Sequence, residues 1–152
     1  DRINHELPEV FSALFGGGRA RLVLEDENDL LNTGIDIDVQ PPGKSVQNIR
    51  LFSGGEKSLI AISVLFAILK ARHVPLCIFD EVEAALDTAN VERFANYIRN
   101  FSNDTQFIVI THRPGTMAQA DVLYGVTMPT KGVSSMLKVR LEDAVEMKER
   151  DA

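Results

Sequence analysis

The run from Leu59 to Leu69 constrains the fold most, because it is apolar on every side of the helix that it predicts. A helix without a polar face is stable only where neighbours cover it. The run therefore indicates a helix buried in a larger protein and in need of a covering partner. It is too short to span a bilayer and it carries Ser63, so we expect no membrane partner.

The stretch that leads into this helix combines a capping pattern with two glycines. Ser53 and Glu56 have the spacing of a capping box, in which each side chain satisfies a backbone N–H at the helix start. Gly54 and Gly55 need a further explanation, because a glycine there costs up to about 1 kcal/mol relative to alanine. Bare N–H groups at a helix N-terminus suit an anion such as phosphate. A plain cap and a phosphate contact are therefore equal alternatives for this stretch.

The composition is that of an ordinary globular domain. The 152 residues are 45% hydrophobic and 25% charged, which is sufficient for one sizeable core. A net charge of -6 argues against a protein that coats nucleic acid through its overall charge. The single cysteine, Cys77, lies in an apolar run, so we expect it to be buried and expect no disulfide framework. These features fit a cytoplasmic location.

The first third of the chain predicts a helix and then a small antiparallel sheet. Residues 1–15 have apolar side chains at helical spacing, interrupted by Pro8, and glycines at 16–18 end the helix. The pattern is already helical at Asp1, so we expect a segment of a longer protein. Alternating or turn-bounded stretches predict three strands: 19–24, 35–40 and 45–51.

The rest of the chain alternates strands with helices, which indicates an α/β layer. Residues 74–79 are typical of a strand in the middle of a parallel sheet, and 107–110 of a second buried strand. Between them, 88–101 has apolar residues at helical spacing. Two further strands and a charged tail are expected: 122–128, 133–141 and the residues from Glu142. The predicted fold class is α/β, a mixed or parallel sheet with flanking helices plus a small antiparallel portion.

Two adjacent carboxylates, Asp80 and Glu81, stand at the end of the first predicted parallel strand. Ligands of open α/β sheets bind at the carboxyl ends of strands. Phosphoryl transfer needs a Mg²⁺ ligand, which suits Asp80, and a group that orients water, which suits Glu81. An acidic pair at a helix start is the alternative. We expect no dedicated metal cage, because no histidine or cysteine stands at ligand spacing.

His112 follows the second predicted parallel strand. In a parallel sheet it would lie at the same edge as Asp80 and Glu81, which favours phosphate contact over a structural role. No phosphate-binding loop is found, because the Gly-Lys-Ser of residues 43–45 lacks the glycine that such a loop needs where Asp38 stands. The chain therefore carries acids for Mg²⁺ and water but no loop for the phosphates of a nucleotide.

Together these motifs resemble those of the ABC-type ATPases. Four segments match that family in order and spacing: the signature motif at 52–56, Walker B with the catalytic glutamate at 76–81, the D-loop at 85–87 and the switch histidine at His112. The resemblance is closer still to the bacterial SMC (structural maintenance of chromosomes) family. Four stretches look like the C-terminal head segment of that family: 15–20, 40–44, 80–87 and 110–113.

The resemblance implies half of a composite ATPase head that uses ATP and Mg²⁺. In this family two distant parts of the chain form the head, and the N-terminal part supplies the Walker A loop. Residues 1–15 would be the end of a returning coiled coil, and 16–152 the C-terminal head segment. Asp80 would bind Mg²⁺, while Glu81 and His112 would serve hydrolysis. The chain alone would then be inactive.

The resemblance also implies partners. Ser53, Gly54 and Gly55, within the signature motif that includes Glu56, would contact the γ-phosphate of ATP held by a second head. ATP would then hold two heads together, and hydrolysis would release them. Asp87 would belong to the D-loop. The region after Val133 would bind the winged-helix domain of the kleisin subunit. DNA is the remaining partner, in a nucleoid-associated protein that drives chromosome condensation and segregation.

Two other functions remain open. The chain could be an assembly module that holds kleisin and its own N-terminal half, in which case Asp80 would be free to change. It could also be the head segment of a related DNA-repair ATPase, although the glycine-rich and Gln-Pro-Pro-Gly matches favour chromosome organisation. Four basic residues could contact DNA phosphates, although solvated strand faces are favoured: Arg19, Arg21, Lys44 and Arg50.

Overall fold

The structure is a computed structural model that describes residues 2–43, 45–103 and 105–140. Lys44 and the predicted tail from Glu142 lie outside the described residues. Four helices lie within them: α1 (Arg2–Phe15), α2 (Gly54–Arg72), α3 (Thr88–Phe101) and α4 (Pro114–Met117). Seven strands lie within them: β1 (Arg19–Leu24), β2 (Ile35–Gln40), β3 (Gln47–Asn48), β4 (Leu76–Asp80), β5 (Gln106–Ile110), β6 (Val122–Thr130) and β7 (Val133–Arg140). None of these helices is both long and apolar enough to cross a membrane.

Helix α1 runs through Pro8 without a break, so the predicted interruption there is wrong. Leu7, Val10, Phe11 and Leu14 on its apolar face are completely buried, and their packing offsets the one hydrogen bond that a proline removes. Asn4 ties the helix to β1, since its side chain donates to the carbonyl of Leu22 (2.8 Å) and accepts from the amide of Leu22 (2.7 Å). The helix ends at the predicted glycines, where Gly18 (φ +81°) lies against the backbone of Gln40.

Strands β1, β2 and β3 form the predicted antiparallel sheet, in that order. The third strand is shorter than predicted, because residues 49–51 turn into a 3₁₀ helix capped by the side chain of Asn48. Arginines on this sheet are held by neighbouring acceptors. Arg21 pairs with Asp38 across the two strands at 3.0 Å, and Arg50 lies 3.5 Å from Asp36. Both arginine side chains remain mostly exposed on this strand face.

Strands β4 and β5 are parallel and flank the aromatic core, which confirms the α/β prediction. Phe66 of α2 is completely buried at the centre of this core, and its ring lies 4.7–6.2 Å from five others. These rings belong to β4, α3 and β5: Phe79, Phe94, Tyr97, Phe101 and Phe107. Edge-on and tilted contacts of this kind stabilise a core beyond the area they bury.

The opposite face of this small sheet is open, as is part of α2. Ile78 is 61% exposed and Ile110 is 52% exposed. Ala61 on α2 is exposed too, so the helix that is apolar on every side is not covered on every side. Strand β4 has one neighbour within the described residues, rather than the two of a central strand. Cys77 is half-buried rather than buried, and burial raises the pKa of its thiol.

Charged and titratable groups join α1, α2 and α3 beside the core. Lys70 donates to Glu9 at 2.6 Å and lies 3.0 Å from Glu6. Burial lowers the pKa of Lys70, but its hydrogen bonds to the two carboxylates outweigh burial, so its pKa is raised. Burial raises the pKa of the Tyr97 hydroxyl to about 12; Lys70 opposes this shift, and Glu9 and Glu6 add to it.

The folded protein is expected to lose stability as the pH rises from about 10 to about 12. In this window the unfolded chain releases the Tyr97 proton while the folded chain keeps it, so the free energy of unfolding falls. Lys70 acts in the same direction, because the stability that it contributes is complete below its ordinary pKa of 10.5. Urea denaturation on both sides of pH 10 measures the effect. Tyr97→Phe should reduce the alkaline loss by on the order of 1 kcal/mol, after allowance for screening at a partly exposed ring. Equal losses in both proteins would contradict this.

Candidate functional site

The carboxyl ends of β4 and β5 bring two of the predicted residues together. Asp80 pairs in register with Ile110, and the amide of Glu81 donates to the Ile110 carbonyl at 3.0 Å. One residue after β5 comes Thr111 and then His112, whose Nδ1 lies 3.2 Å from Glu81 Oε1. Both side chains are more than half exposed, so an external group can reach them. The structure therefore places Glu81 and His112 together at one edge of a parallel sheet, as the sequence predicts.

The backbone of Glu81 lies in the left-handed region, with φ +48°. Residues other than glycine adopt this conformation at a cost of about 1–3 kcal/mol, and such residues cluster at functional sites. The conformation turns the chain sharply after β4, where the amide of Ala84 donates to the Glu81 carbonyl at 3.0 Å. This turn places the Glu81 side chain beside the segment that follows β5.

Asp80 ends β4 with an exposed side chain. Among the described residues, no group of three or more histidine, cysteine or acidic side chains could hold a metal ion. Mg²⁺ needs only one or two carboxylates where phosphate oxygens and water complete its shell. A single exposed carboxylate at the end of a strand suits an ion that arrives with a phosphate ligand.

The start of α2 has the complete capping box. Ser53 Oγ accepts from the amide of Glu56 at 3.4 Å, and Glu56 Oε2 accepts from the amide of Ser53 at 3.0 Å. The hydroxyl of Ser53 also donates to Glu56 Oε2, at 2.8 Å. The cap explains these two residues structurally. It does not exclude a phosphate contact, because Ser53 and Glu56 stand at the helix N-terminus, where a phosphate would also bind.

The two glycines of the signature stretch have different surroundings. A Cβ added to Gly54 would have no neighbour within 4 Å, so the space beside this backbone is open. A Cβ added to Gly55 would lie 3.3 Å from the carbonyl oxygen of Ala85. Glycine at position 55 therefore lets the start of α2 approach the segment 85–87 closely. Only Gly54 faces the open space that the phosphate explanation needs.

Asp87 begins α3 as its N-cap. Its Oδ1 accepts from the amide of Asn90 at 2.9 Å, and its Oδ2 accepts from the Asn90 side chain, also at 2.9 Å. The acid therefore stabilises the helix start through a local contact, a role that the sequence analysis did not assign to it. Both carboxylate oxygens of Asp87 are engaged within this helix turn.

Glu83 is the residue that the sequence analysis missed. It is completely buried, and its Oε1 accepts from the hydroxyls of Thr111 (2.5 Å) and Thr116 (3.0 Å). Its Oε2 is buried without a hydrogen-bond partner among the described residues. Arg113 donates to the carbonyls of Ala84 (3.3 Å) and Leu86. The only sequence signal was a third acid after Asp80 and Glu81, and nothing in the pattern separated it from a solvated residue.

Comparisons with known proteins agree with this geometry. Residues 20–135 match the family described as the RecF/RecN/SMC N terminal domain. The chromosome partition protein Smc of Bacillus subtilis (strain 168) is 61% identical over 145 residues, 95% of this chain and 12% of that protein. The protein of the same name from Mesomycoplasma hyorhinis is 56% identical over 145 residues, 95% of this chain and 15% of that protein. The chain thus spans a small part of the length of these relatives.

Solved structures with a similar fold are SMC heads. A chain from work on ATP-driven dimerisation and DNA-stimulated activation of SMC ATPases has a TM-score of 0.84 at 42% identity, over 98% of this chain and 90% of that chain. An Smc head bound to the C-winged helix domain of ScpA has a TM-score of 0.82 at 44% identity, over 95% of this chain and 44% of that chain. With most of its length matched by the family and by head domains of this fold, the chain belongs to the SMC family.

Proposed function

We propose that the chain is the C-terminal half of an ABC-type ATPase head, completed by an N-terminal half that brings the Walker A loop. Residues 1–15 would be the end of a coiled coil and 16–152 the head segment. The observation that carries the proposal is the contact between His112 and Glu81 beside Asp80, at the strand ends where phosphoryl-transfer sites lie. The chromosome partition relatives favour chromosome organisation over DNA repair.

The residues present fit a magnesium nucleotide. Asp80 offers an exposed carboxylate with room for further oxygen ligands, and Gly54 leaves open space at a helix start. Backbone N–H groups at such a start suit a phosphate. When bound, Mg-ATP would supply the phosphoryl group and a cation that neutralises its charge. Asp80 would hold the cation, and residues 53–56 would contact the γ-phosphate of ATP bound to a second head.

Glu81 and His112 would act together on the attacking water. A carboxylate oxygen of Glu81 would accept a hydrogen bond from that water and orient it. The His112 N–H would hold the other side of the carboxylate, which restricts its rotation. Both groups are exposed in this chain, so a covering second head would be needed to exclude solvent water. This requirement is consistent with hydrolysis only in paired heads.

The β6–β7 hairpin supports a kleisin as a partner. Val126 (71% exposed) and Met136 (69% exposed) are paired in register and present apolar side chains to solvent. Tyr124 lies on the same face, with Lys138 over its ring at 5.9 Å. An exposed apolar patch of this kind is typical of an interaction surface. Because a similar Smc head is bound to the C-winged helix domain of ScpA, we propose such a domain as the partner of this hairpin.

An assembly module without catalysis is the second candidate. The open sheet face around Ile78 and Ile110 favours it, because an apolar face of this kind needs another part of the head to cover it. The two candidates differ at Asp80 and Glu81, which a module that only binds does not need. The exposed, adjacent placement of Glu81 and His112 favours the ATPase.

Mg-ATP turnover of the chain alone, and co-expressed with the Walker-A-bearing half of the same protein, tests the proposal. We expect turnover only in the co-expressed head, because this chain has no loop to hold the phosphates. Circular dichroism of each preparation establishes that both are folded. A co-expressed head that binds ATP and pairs, yet does not hydrolyse it, would favour the assembly module. Turnover by the chain alone would overturn the split site.

A further inference from the structure

Glu83 connects the two segments that build the candidate site. The segment after β4 carries Glu81, and the segment after β5 carries His112. Glu83 belongs to the first segment, and the two hydroxyls that its Oε1 accepts, from Thr111 and Thr116, flank His112 in the second. These two hydrogen bonds tie the segment around His112 to a completely buried side chain.

Arg113 completes the connection from the other side. Its guanidinium donates to the carbonyls of Ala84 and Leu86, the two residues on either side of Ala85. The Ala85 carbonyl is the group that Gly55 approaches at the start of α2. The segment 81–87 is therefore hydrogen-bonded to the segment of His112 and lies close to the start of α2. Its internal turns rest on only two amide hydrogen bonds, from Ala84 and Leu86.

The chemistry of Glu83 is unusual for a purely structural tie. Its Oε2 is buried and makes no hydrogen bond among the described residues, so half of the acceptor capacity of a carboxylate is unused. Burying a carboxylate in this way is unfavourable, and an uncharged residue of similar size would serve stability better. The contact that the structure shows for this carboxylate is the acceptance of two hydroxyl donors on a single oxygen.

We infer that Glu83 is a positioning residue for hydrolysis. Its hydrogen bond to Thr111 fixes the position of His112, and His112 in turn holds the Glu81 carboxylate in place. The inference rests on the proposed function, since it concerns the same reaction. Because Glu83 is completely buried, it would act through Thr111 and His112 rather than by direct contact with the nucleotide. Its effect is on the rate of the chemical step and not on the affinity for ATP.

Glu83→Ala in the assembled head, with both halves present, is expected to lower kcat roughly 10- to 100-fold, the loss typical of a displacement of about 1 Å at a reacting group. The KM for ATP should stay unchanged. Glu83→Gln keeps one oxygen that can accept both hydroxyls, so it should restore most of the rate. Thr111→Val should lower kcat in the same direction as Glu83→Ala. Thr105→Val, which removes a buried hydroxyl bonded to the Val74 carbonyl, is the matched control with unchanged kcat.

A double-mutant cycle separates positioning from a general loss of structure. In a His112→Ala background, Glu83→Ala should have little further effect on kcat, because the group through which it acts is gone. Hydrogen exchange without nucleotide provides a second readout, in which the amides of Glu81, Ala84 and Leu86 should exchange faster in Glu83→Ala. Effects that multiply in the cycle, or unchanged exchange at these amides, would overturn the inference.

Two controls distinguish an error in the role of Glu83 from an error in the proposed ATPase function. An unmodified head that hydrolyses ATP, together with a Glu83→Ala head of normal kcat, overturns only the role of Glu83. An unmodified head that pairs without hydrolysis overturns the proposed function, and hydrogen exchange still tests the connection through Glu83. If Glu83→Ala does not fold, Thr111→Val tests the same link, and a normal rate in that variant overturns it.

Discussion

Glu81→Gln is expected to stop ATP turnover in the assembled head while ATP-dependent pairing of heads continues. The amide has the shape of the carboxylate but cannot accept a proton, so it loses the ability to activate water. General-base contributions of this kind are worth roughly 10²- to 10⁴-fold in rate. Turnover of Mg-ATP measures the loss, and light scattering with ATP measures pairing.

We expect Glu81→Gln to change the side chain without disturbing the backbone. Glutamine can keep the left-handed backbone at position 81, because the amide hydrogen bond to the Ile110 carbonyl does not involve the side chain. Glu27→Gln, at an exposed position in the β1–β2 loop, is the matched control and should leave turnover unchanged. A Glu81→Gln head that hydrolyses ATP at the normal rate would remove Glu81 from the role of orienting water.

Ser53→Arg is expected to abolish ATP-dependent pairing of two heads. Ser53 is exposed at the start of α2, next to the open space beside Gly54, and an arginine side chain there would fill the space proposed for the phosphate. The substitution also removes the capping hydroxyl, at a cost of about 1 kcal/mol in helix stability. Pairing is measured by light scattering in the Glu81→Gln background, where hydrolysis cannot separate the heads.

Two further variants separate the blocked space from the lost cap. Ser53→Ala removes the cap without adding bulk, so it should weaken pairing less than Ser53→Arg. Ser45→Arg adds the same side chain at an exposed position outside the site and should pair normally. Undiminished pairing in Ser53→Arg would exclude residue 53 from the contact between heads. Equal losses in Ser53→Arg and Ser53→Ala would assign the effect to the helix start instead.

The structural predictions that are confirmed in this region rest on short stretches of the sequence. The capping box of Ser53 and Glu56 needs only a fixed spacing at a helix start. The placement of His112 beside Glu81 follows from two apolar runs that form adjacent parallel strands, each ending where the polar residues begin. Neither prediction needed knowledge of how the helices pack.

The wrong predictions concern how a segment is packed, capped or covered by other residues, which its own sequence pattern does not show. The interruption at Pro8 did not occur, because the buried face of α1 holds the helix together on both sides of the proline. Strand β3 was predicted to be too long, since a side-chain cap from Asn48 bends the chain. Burial of Cys77 was overestimated, because an apolar run shows that a strand can be covered but not that this chain covers both of its faces.

The sequence by itself determined the three long helices, most of the strands and the polar residues at the ends of β4 and β5, because these depend on hydrophobic periodicity and capping over short distances. Only the tertiary structure decided that Glu83 is a buried acceptor, while Glu81, two residues earlier, is exposed. It also showed that a side chain at position 55 would crowd the carbonyl oxygen of Ala85. Such properties arise from segments far apart in the chain, and no local pattern specifies which of them will meet.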